Sequence, residues 1–206
     1  MSATPRLIDA LVAAAGILRK RRIPFSLTGG LAANAWLPDE RTRETRDVDF
    51  AVLVDDLRFV GSVQGDLEEK GVVTERSLEV DLRNAVMVRL LLGHVPVDFV
   101  RPKDVEYVKA AFRRMGRADV LGKRVAVLLP EDVFLYKALA RRARDLPVMA
   151  DLSALRGFDR RYVKRWGRRL GIWSFARRAL ALPPDASDVA LHRLARVPKA
   201  LRRRRR

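Results

Sequence analysis

The chain has 206 residues, no cysteine and only two histidines, His94 and His192, which excludes disulfides, thiolate metal centres and a histidine-rich zinc site. Apolar residues make up 49% and charged residues 33%, the balance of a globular chain able to bury a real core, and no apolar run is long enough to span a bilayer. The net charge of +17 is lopsided: residues 156–206 hold 17 Lys/Arg against 3 Asp/Glu, whereas residues 1–155 hold 25 against 22.

Leu7, Leu11, Ala14, Ala15 and Leu18 recur at helical spacing and predict an amphipathic helix over residues 5–21. This short apolar stretch is no signal segment, so a cytoplasmic protein without membrane contact is expected. Pro24 ends the pattern, and residues 25–28 read as a short strand. Gly29-Gly30 then turns the chain into a short helix over 31–36. Residues 47–54 are β-branched and apolar enough for a buried strand, and 57–70 are helical with Gly71 as C-cap. Strands are predicted over 72–75, 85–92 and 95–100, the last two joined by a tight Gly93-His94 turn. Asp104 caps a helix running to about Met115, and residues 121–127 resemble a small edge hairpin. From Pro130 onward only helices are predicted: one opening at Pro130-Glu131-Asp132, then 148–155, 160–170, 173–182 and 189–194. In the first of these, Lys137, Arg141 and Arg144 are spaced to share one face.

The most informative pattern is Asp47-Val48-Asp49 entering an apolar strand shortly after the glycine pair. Residues two apart on a strand face the same way, so both carboxylates leave the sheet together. Two carboxylates held this close repel unless a cation lies between them, and oxygen ligands suit a hard dication, Mg²⁺ above all and Mn²⁺ as an alternative. A third acid, Asp98, sits in Val95-Pro-Val-Asp98-Phe-Val100, off the apolar face made by Val95, Val97 and Phe99.

This ordered set of apolar strand, Gly-Gly turn, Asp-x-Asp strand and third Asp resembles the polymerase-β-like nucleotidyltransferase superfamily over roughly residues 20–145. The resemblance implies an α+β nucleotidyltransferase fold, a small mixed sheet flanked by helices, with a catalytic core over 1–128. A helical region over 129–197 and a basic, disordered tail over 198–206 follow. It implies transfer of a nucleoside monophosphate from an NTP, with two metal ions. Asp47 and Asp49 would bind the ion bridging the triphosphate, and Asp98 would hold a second ion or act as general base. Gly29 and Gly30 would let backbone N–H groups approach phosphate at a helix N-terminus. Thr28 would either donate a hydroxyl or serve as a strand residue. Arg43 and Arg46 would contact phosphate or neutralise Glu40 and Glu44. The stretch from Leu129 to Leu146 is similar to the helix that follows the core in AbiEii-type toxins and related bacterial nucleotidyltransferases, where a lysine and an Arg…Asp pair recur. By that likeness Lys137 would reach the triphosphate; otherwise it is one more charge on an exposed face.

The basic C-terminal quarter suggests a polyanionic acceptor, RNA or tRNA, as in toxins that extend tRNA ends, with a cognate antitoxin as possible partner. Its bland alternative is a solvated Arg-rich segment. The Arg41-Thr-Arg43 loop also resembles small antibiotic nucleotidyltransferases, which would imply a small-molecule acceptor such as an aminoglycoside; a polycation of that kind needs an acidic site, which Glu131, Asp132 and Asp145 could build. A protein acceptor and a catalytically idle RNA-binding protein complete the alternatives.

Overall fold

The computed structural model describes residues 6–184 apart from Arg83. The predicted tail over 198–206 and the helix over 189–194 lie outside the described residues. Eight α-helices and seven strands are formed among the described residues: α1 (Leu7–Lys20), β1 (Phe25–Leu27), α2 (Gly29–Asn34), β2 (Val48–Val52), α3 (Phe59–Glu68), β3 (Thr74–Leu82), β4 (Ala85–Leu92), β5 (Val95–Pro102), α4 (Val105–Arg114), β6 (Gly116–Val120), β7 (Lys123–Val127), α5 (Pro130–Ala140), α6 (Leu146–Ser153), α7 (Arg160–Arg169) and α8 (Trp173–Leu180). The strands make one mixed sheet in the order β3-β4-β5-β2-β1-β7-β6, with β2–β5 and β1–β7 parallel. The architecture is thus a mixed α+β fold with a helical C-terminal region.

Strand alternation divides the sheet into two faces with different chemistry. On one face Phe50 stacks on Phe99 at 5.9 Å between centroids, with Phe25 and Phe59 edge-on to that pair at 5.4 and 5.7 Å. Helices α1 and α3 cover this side, burying Leu11, Ile17, Leu18, Val60, Val63 and Leu67 completely or nearly so. The other face carries the acids and is roofed by α2 and α5, which pack on each other. Helix α5 has almost no solvent-facing side: Val133, Phe134, Leu135 and Ala138 are fully buried, and α6 and α7 cover its outer surface. The C-terminal helices therefore serve as the backing of the roof.

Several boundaries move. Strand β3 runs nine residues rather than four, because its exposed Glu75, Glu79 and Asp81 disguise a sheet edge, where charged residues oppose edge-to-edge pairing. The hairpin read at 121–127 begins at Gly116 and lies only half at an edge, since β7 pairs with β1 inside the sheet. The shared face of Lys137, Arg141 and Arg144 does not exist. Helix α5 stops at Ala140 and Arg141 adopts a left-handed conformation (φ 53°), which turns its side chain to the Gly171 carbonyl. Asp104 caps α4 as expected, accepting from the Tyr107 N–H at 3.0 Å.

Candidate active site

Three strands place Arg89, Asp98 and Asp49 along one line. The two-residue Gly93-His94 turn sets the β4–β5 register so that Arg89 lies opposite Asp98, and the parallel β5–β2 pairing puts Asp98 opposite Asp49. Beyond Asp49, the Thr28 N–H donates to its carbonyl at 3.0 Å. Asp47 precedes β2 by one residue and faces the same way as Asp49. One oxygen from each of Asp47, Asp49 and Asp98 lies within 4.8 Å of the other two, a spacing suited to a shared cation.

The glycine pair has a more local reason than phosphate approach. Gly29 holds φ 66°, and a β-carbon there would fall onto the Asp49 carboxylate. At Gly30 a β-carbon would strike the Thr45 hydroxyl, which donates to Asp47 at 2.9 Å. The glycines therefore leave room for the acid pair and its hydroxyl support. Helix α2, with six residues, brings little dipole of its own.

The electrostatics single out Asp47 and Asp49. Asp98 is buried and receives both Nε and Nη2 of Arg89 at 2.6 Å, a two-point ion pair. Lys137, only 11% exposed along its side chain, and Arg142 converge on the buried Asp145 at 3.1 and 3.0 Å. Arg43 bonds Asp151 on α6 at 2.8 Å, and Arg46 bonds Glu44 at 3.0 Å. Asp47 and Asp49 make no ion pair among the described residues. Burial, then the neighbouring Asp47 and Asp98 charges, push the Asp49 carboxyl up to about 7 against the pull of Lys137 and Arg142. Concentrated negative charge, oxygen donors and a glycine-made recess fit a hard divalent ion. Asp47, Asp49 and the free lone pairs of Asp98 would hold it.

Two cavities meet at Asp49. The first, about 410 Å³, is bordered by Gly29, Gly30, Asp47 and the cations Arg43, Arg46, Arg89, Lys137, Arg142 and Arg144. The second, about 160 Å³, opens onto Asp98 and has apolar walls from Ala85, Met87, Val100 and Leu139. Thr28 and Tyr136 also line it, and their buried hydroxyls have no hydrogen-bond partner. All nine residues singled out from the sequence (Thr28, Gly29, Gly30, Arg43, Arg46, Asp47, Asp49, Asp98 and Lys137) border one cavity or the other. Lys137 is not on an exposed face.

Sequence reasoning missed Arg89, Arg142 and Thr45. Arg89 was legible: it is the single charge in the apolar run from Ala85 to Leu92, and counting back from a two-residue turn sets it against Asp98. Arg142 was hidden by the left-handed break at Arg141, which no residue type there announces. Glu131, Asp132 and Asp145 do not form an open acidic patch. They engage Arg114, the Tyr162 hydroxyl, and the Lys137–Arg142 pair respectively.

No family model and no curated relative matches this chain. Among solved structures it is similar to the solution structure of the antibiotic-resistance factor ANT(2'')-Ia, at 15% identity and a TM-score of 0.43, covering 89% of this chain and 86% of the other. A nucleotidyltransferase-like protein from Paracoccidioides brasiliensis has 15% identity, a TM-score of 0.44 and coverage of 88% and 95%. JHP933 from Helicobacter pylori has 16%, 0.41, and 91% and 86%. Likenesses at this level carry no substrate or mechanism over to the present chain.

Proposed function

We propose that this chain is a metal-dependent nucleotidyltransferase of the polymerase-β-like superfamily, moving a nucleoside monophosphate from an NTP to an acceptor hydroxyl. The observation that carries this reading is the meeting of three carboxylates from adjacent strands at the junction of a cation-lined cavity and an apolar one. Asp47 and Asp49 would hold a divalent ion, Mg²⁺ or Mn²⁺, whose positive charge would offset the negative charge that gathers on triphosphate oxygens in the transition state. Lys137, Arg142, Arg144 and Arg46, with the Gly29–Gly30 backbone, bind the triphosphate in the larger cavity. Lys137 and Arg142 are steadied by Asp145, and Arg43 ties the loop to α6 through Asp151. Asp98, open to the smaller cavity, takes the proton of the acceptor hydroxyl. The new bond from that oxygen to the α-phosphorus forms as the bond to pyrophosphate breaks, and the proton later passes from Asp98 to water.

An RNA acceptor is supported by the cationic outer face of α7, where Arg160, Arg161, Lys164, Arg165 and Arg168 form no ion pair among the described residues. In the AbiEii-like form of this reading the acceptor is tRNA and a cognate antitoxin is a partner. A polycationic antibiotic is disfavoured, because the three acids that could have received it are already engaged. The narrow apolar cavity beside Asp98 favours, as a second reading, a compact uncharged hydroxyl group on a small molecule or protein. The intact carboxylate triad argues against an idle RNA binder. The test is incubation of the full chain with each labelled NTP, Mg²⁺ and total tRNA. Transfer to RNA that falls on the order of 10²–10³-fold in Asp47→Asn and Asp49→Asn is expected. RNA binding indifferent to alanine at all three acids, with no turnover of any NTP, would establish the idle binder instead.

A further inference from the structure

The smaller cavity carries two hydroxyl groups that the transfer chemistry does not use. Its volume of about 160 Å³ is close to the roughly 150 Å³ that encloses a benzene molecule in a protein interior, so it admits one ring of that size. A fused two-ring purine exceeds it. Two acids, Asp49 and Asp98, and two cations, Lys137 and Arg142, border the space, a balance that suits an uncharged occupant. Thr28 and Tyr136 border this cavity and not the larger one. They are only 2% and 6% exposed, and neither hydroxyl has a hydrogen-bond partner among the described residues. Each can donate and accept, and leaving either unpaired in a filled cavity is costly. Ala85, Met87, Val100 and Leu139 add apolar wall. The occupant that matches these surfaces presents one hydroxyl to Asp98, a further oxygen to Tyr136 or Thr28, and C–H surface to the walls. A sugar ring with neighbouring hydroxyls has all three. The lone side-chain hydroxyl of a protein acceptor lacks the further oxygen.

Resting on the nucleotidyltransferase reading, we propose that the smaller cavity receives the acceptor as an uncharged sugar ring with neighbouring hydroxyls, which Thr28 and Tyr136 select. One hydroxyl loses its proton to Asp98 and bonds to the α-phosphorus as the bond to pyrophosphate breaks. Its neighbour pairs with Tyr136 and Thr28 and is not consumed. A site built to bond a hydroxyl rejects the analogue that lacks it, because its own groups are then left unpaired. The same ring chemistry comes from the terminal ribose of an RNA or from a free sugar or nucleoside.

The experiment measures kcat/KM of the full-length chain, with Mg²⁺ and each NTP, toward an RNA oligonucleotide ending in ribose, 2′-deoxyribose or 3′-deoxyribose. Free adenosine with its two deoxy forms, methyl glucoside with its deoxy forms and a serine peptide are run in parallel. The deoxy form that keeps the attacking hydroxyl should react roughly 10–100-fold more slowly than the complete ring in the wild type. In Tyr136→Phe, which removes one oxygen, that ratio should shrink to about threefold or less, with the KM for NTP changed less than about threefold. Thr28→Val should narrow it as well. Preference for the RNA end assigns RNA as the source of the ring, and preference for a free ring assigns a small molecule; both support the proposal. Equal rates on complete and deoxy rings in the wild type overturn it, and that comparison needs no variant to fold. A ratio undiminished in both folded variants, transfer to the peptide alone, or bound NTP transferred to none of these rings overturns it too. A wild type that binds no NTP in calorimetry removes the nucleotidyltransferase reading itself, a different outcome from a wrong acceptor.

Discussion

At Arg89 a single side chain links stability to metal binding. Truncating it leaves the Asp98 carboxylate buried beside Asp49 without its counter-charge, and breaking a buried pair of this kind costs about 3–5 kcal/mol. Arg89→Met should therefore lower Tm by roughly 6–20 °C in EDTA for a chain of this size. Millimolar Mg²⁺ should recover part of that loss, since a cation can replace the missing guanidinium. Equal losses with and without metal in a thermal-melt comparison would mean that Arg89 acts by packing alone. Gly29→Ala makes the complementary case, because its methyl group would occupy the Asp49 carboxylate position on a backbone already at φ 66°. It should cost both Mn²⁺ affinity and stability, whereas Gly61→Ala, in open space on α3, should cost neither. Isothermal titration and melting of the two variants side by side check this.

Among the elements, helix α5 carries a buried acid that makes the fold sensitive to pH. Burial is the main cause that lifts Asp132 from 3.8 to about 6, opposed by the Tyr162 hydroxyl bond and by Arg114. The folded chain holds this proton more tightly than the unfolded one. Its contribution is thus favourable at acid pH and is lost as pH rises from about 4 to 6, a difference of about 3 kcal/mol. Asp132→Asn keeps an acceptor for Tyr162 without the charge. It should melt higher than wild type at pH 7–8 and no higher at pH 4, and a shift equal at both values would refute the assignment. The same helix shows what the sequence reveals and what it conceals. The Pro130 start and the buried, apolar length were readable from residue type, and so were the acids on β2 and β5, because strand periodicity is local. The end at Arg141 was not, for a left-handed arginine has no sequence signature. The Lys137–Asp145–Arg142 cluster depends on that turn. The second cavity was equally invisible, since Met87, Val100 and Leu139 come from three elements that meet only after folding. Filling it with Met87→Trp should block acceptor turnover and leave NTP affinity unchanged; loss of NTP binding would show that the nucleotide occupies this space.

For the whole molecule, the positive charge is the property to test. Residues 156–206 carry 17 Lys/Arg against 3 Asp/Glu, divided between residues 156–180, which include α7 and α8, and the segment beyond residue 184. Deleting residues 198–206 should weaken RNA binding and reduce the log–log salt slope by roughly 0.7–0.9 per lost phosphate contact, with NTP affinity unchanged. Equal slopes in full-length and truncated protein would make the tail irrelevant to RNA. The Gly93-His94 turn has a bearing on how the molecule comes together. It joins Arg89 and Asp98 within one hairpin, only nine residues apart, and hairpins close in about 1–10 µs. Strand β2 must cross a much longer loop to lie parallel to β5, so its docking is the slower event. The refolding chain thus brings Asp49 up to a carboxylate whose charge is already matched. The repulsion of Asp98 against Asp47 and Asp49 is met only at that step, and divalent ions in the refolding buffer should speed it and leave hairpin closure untouched.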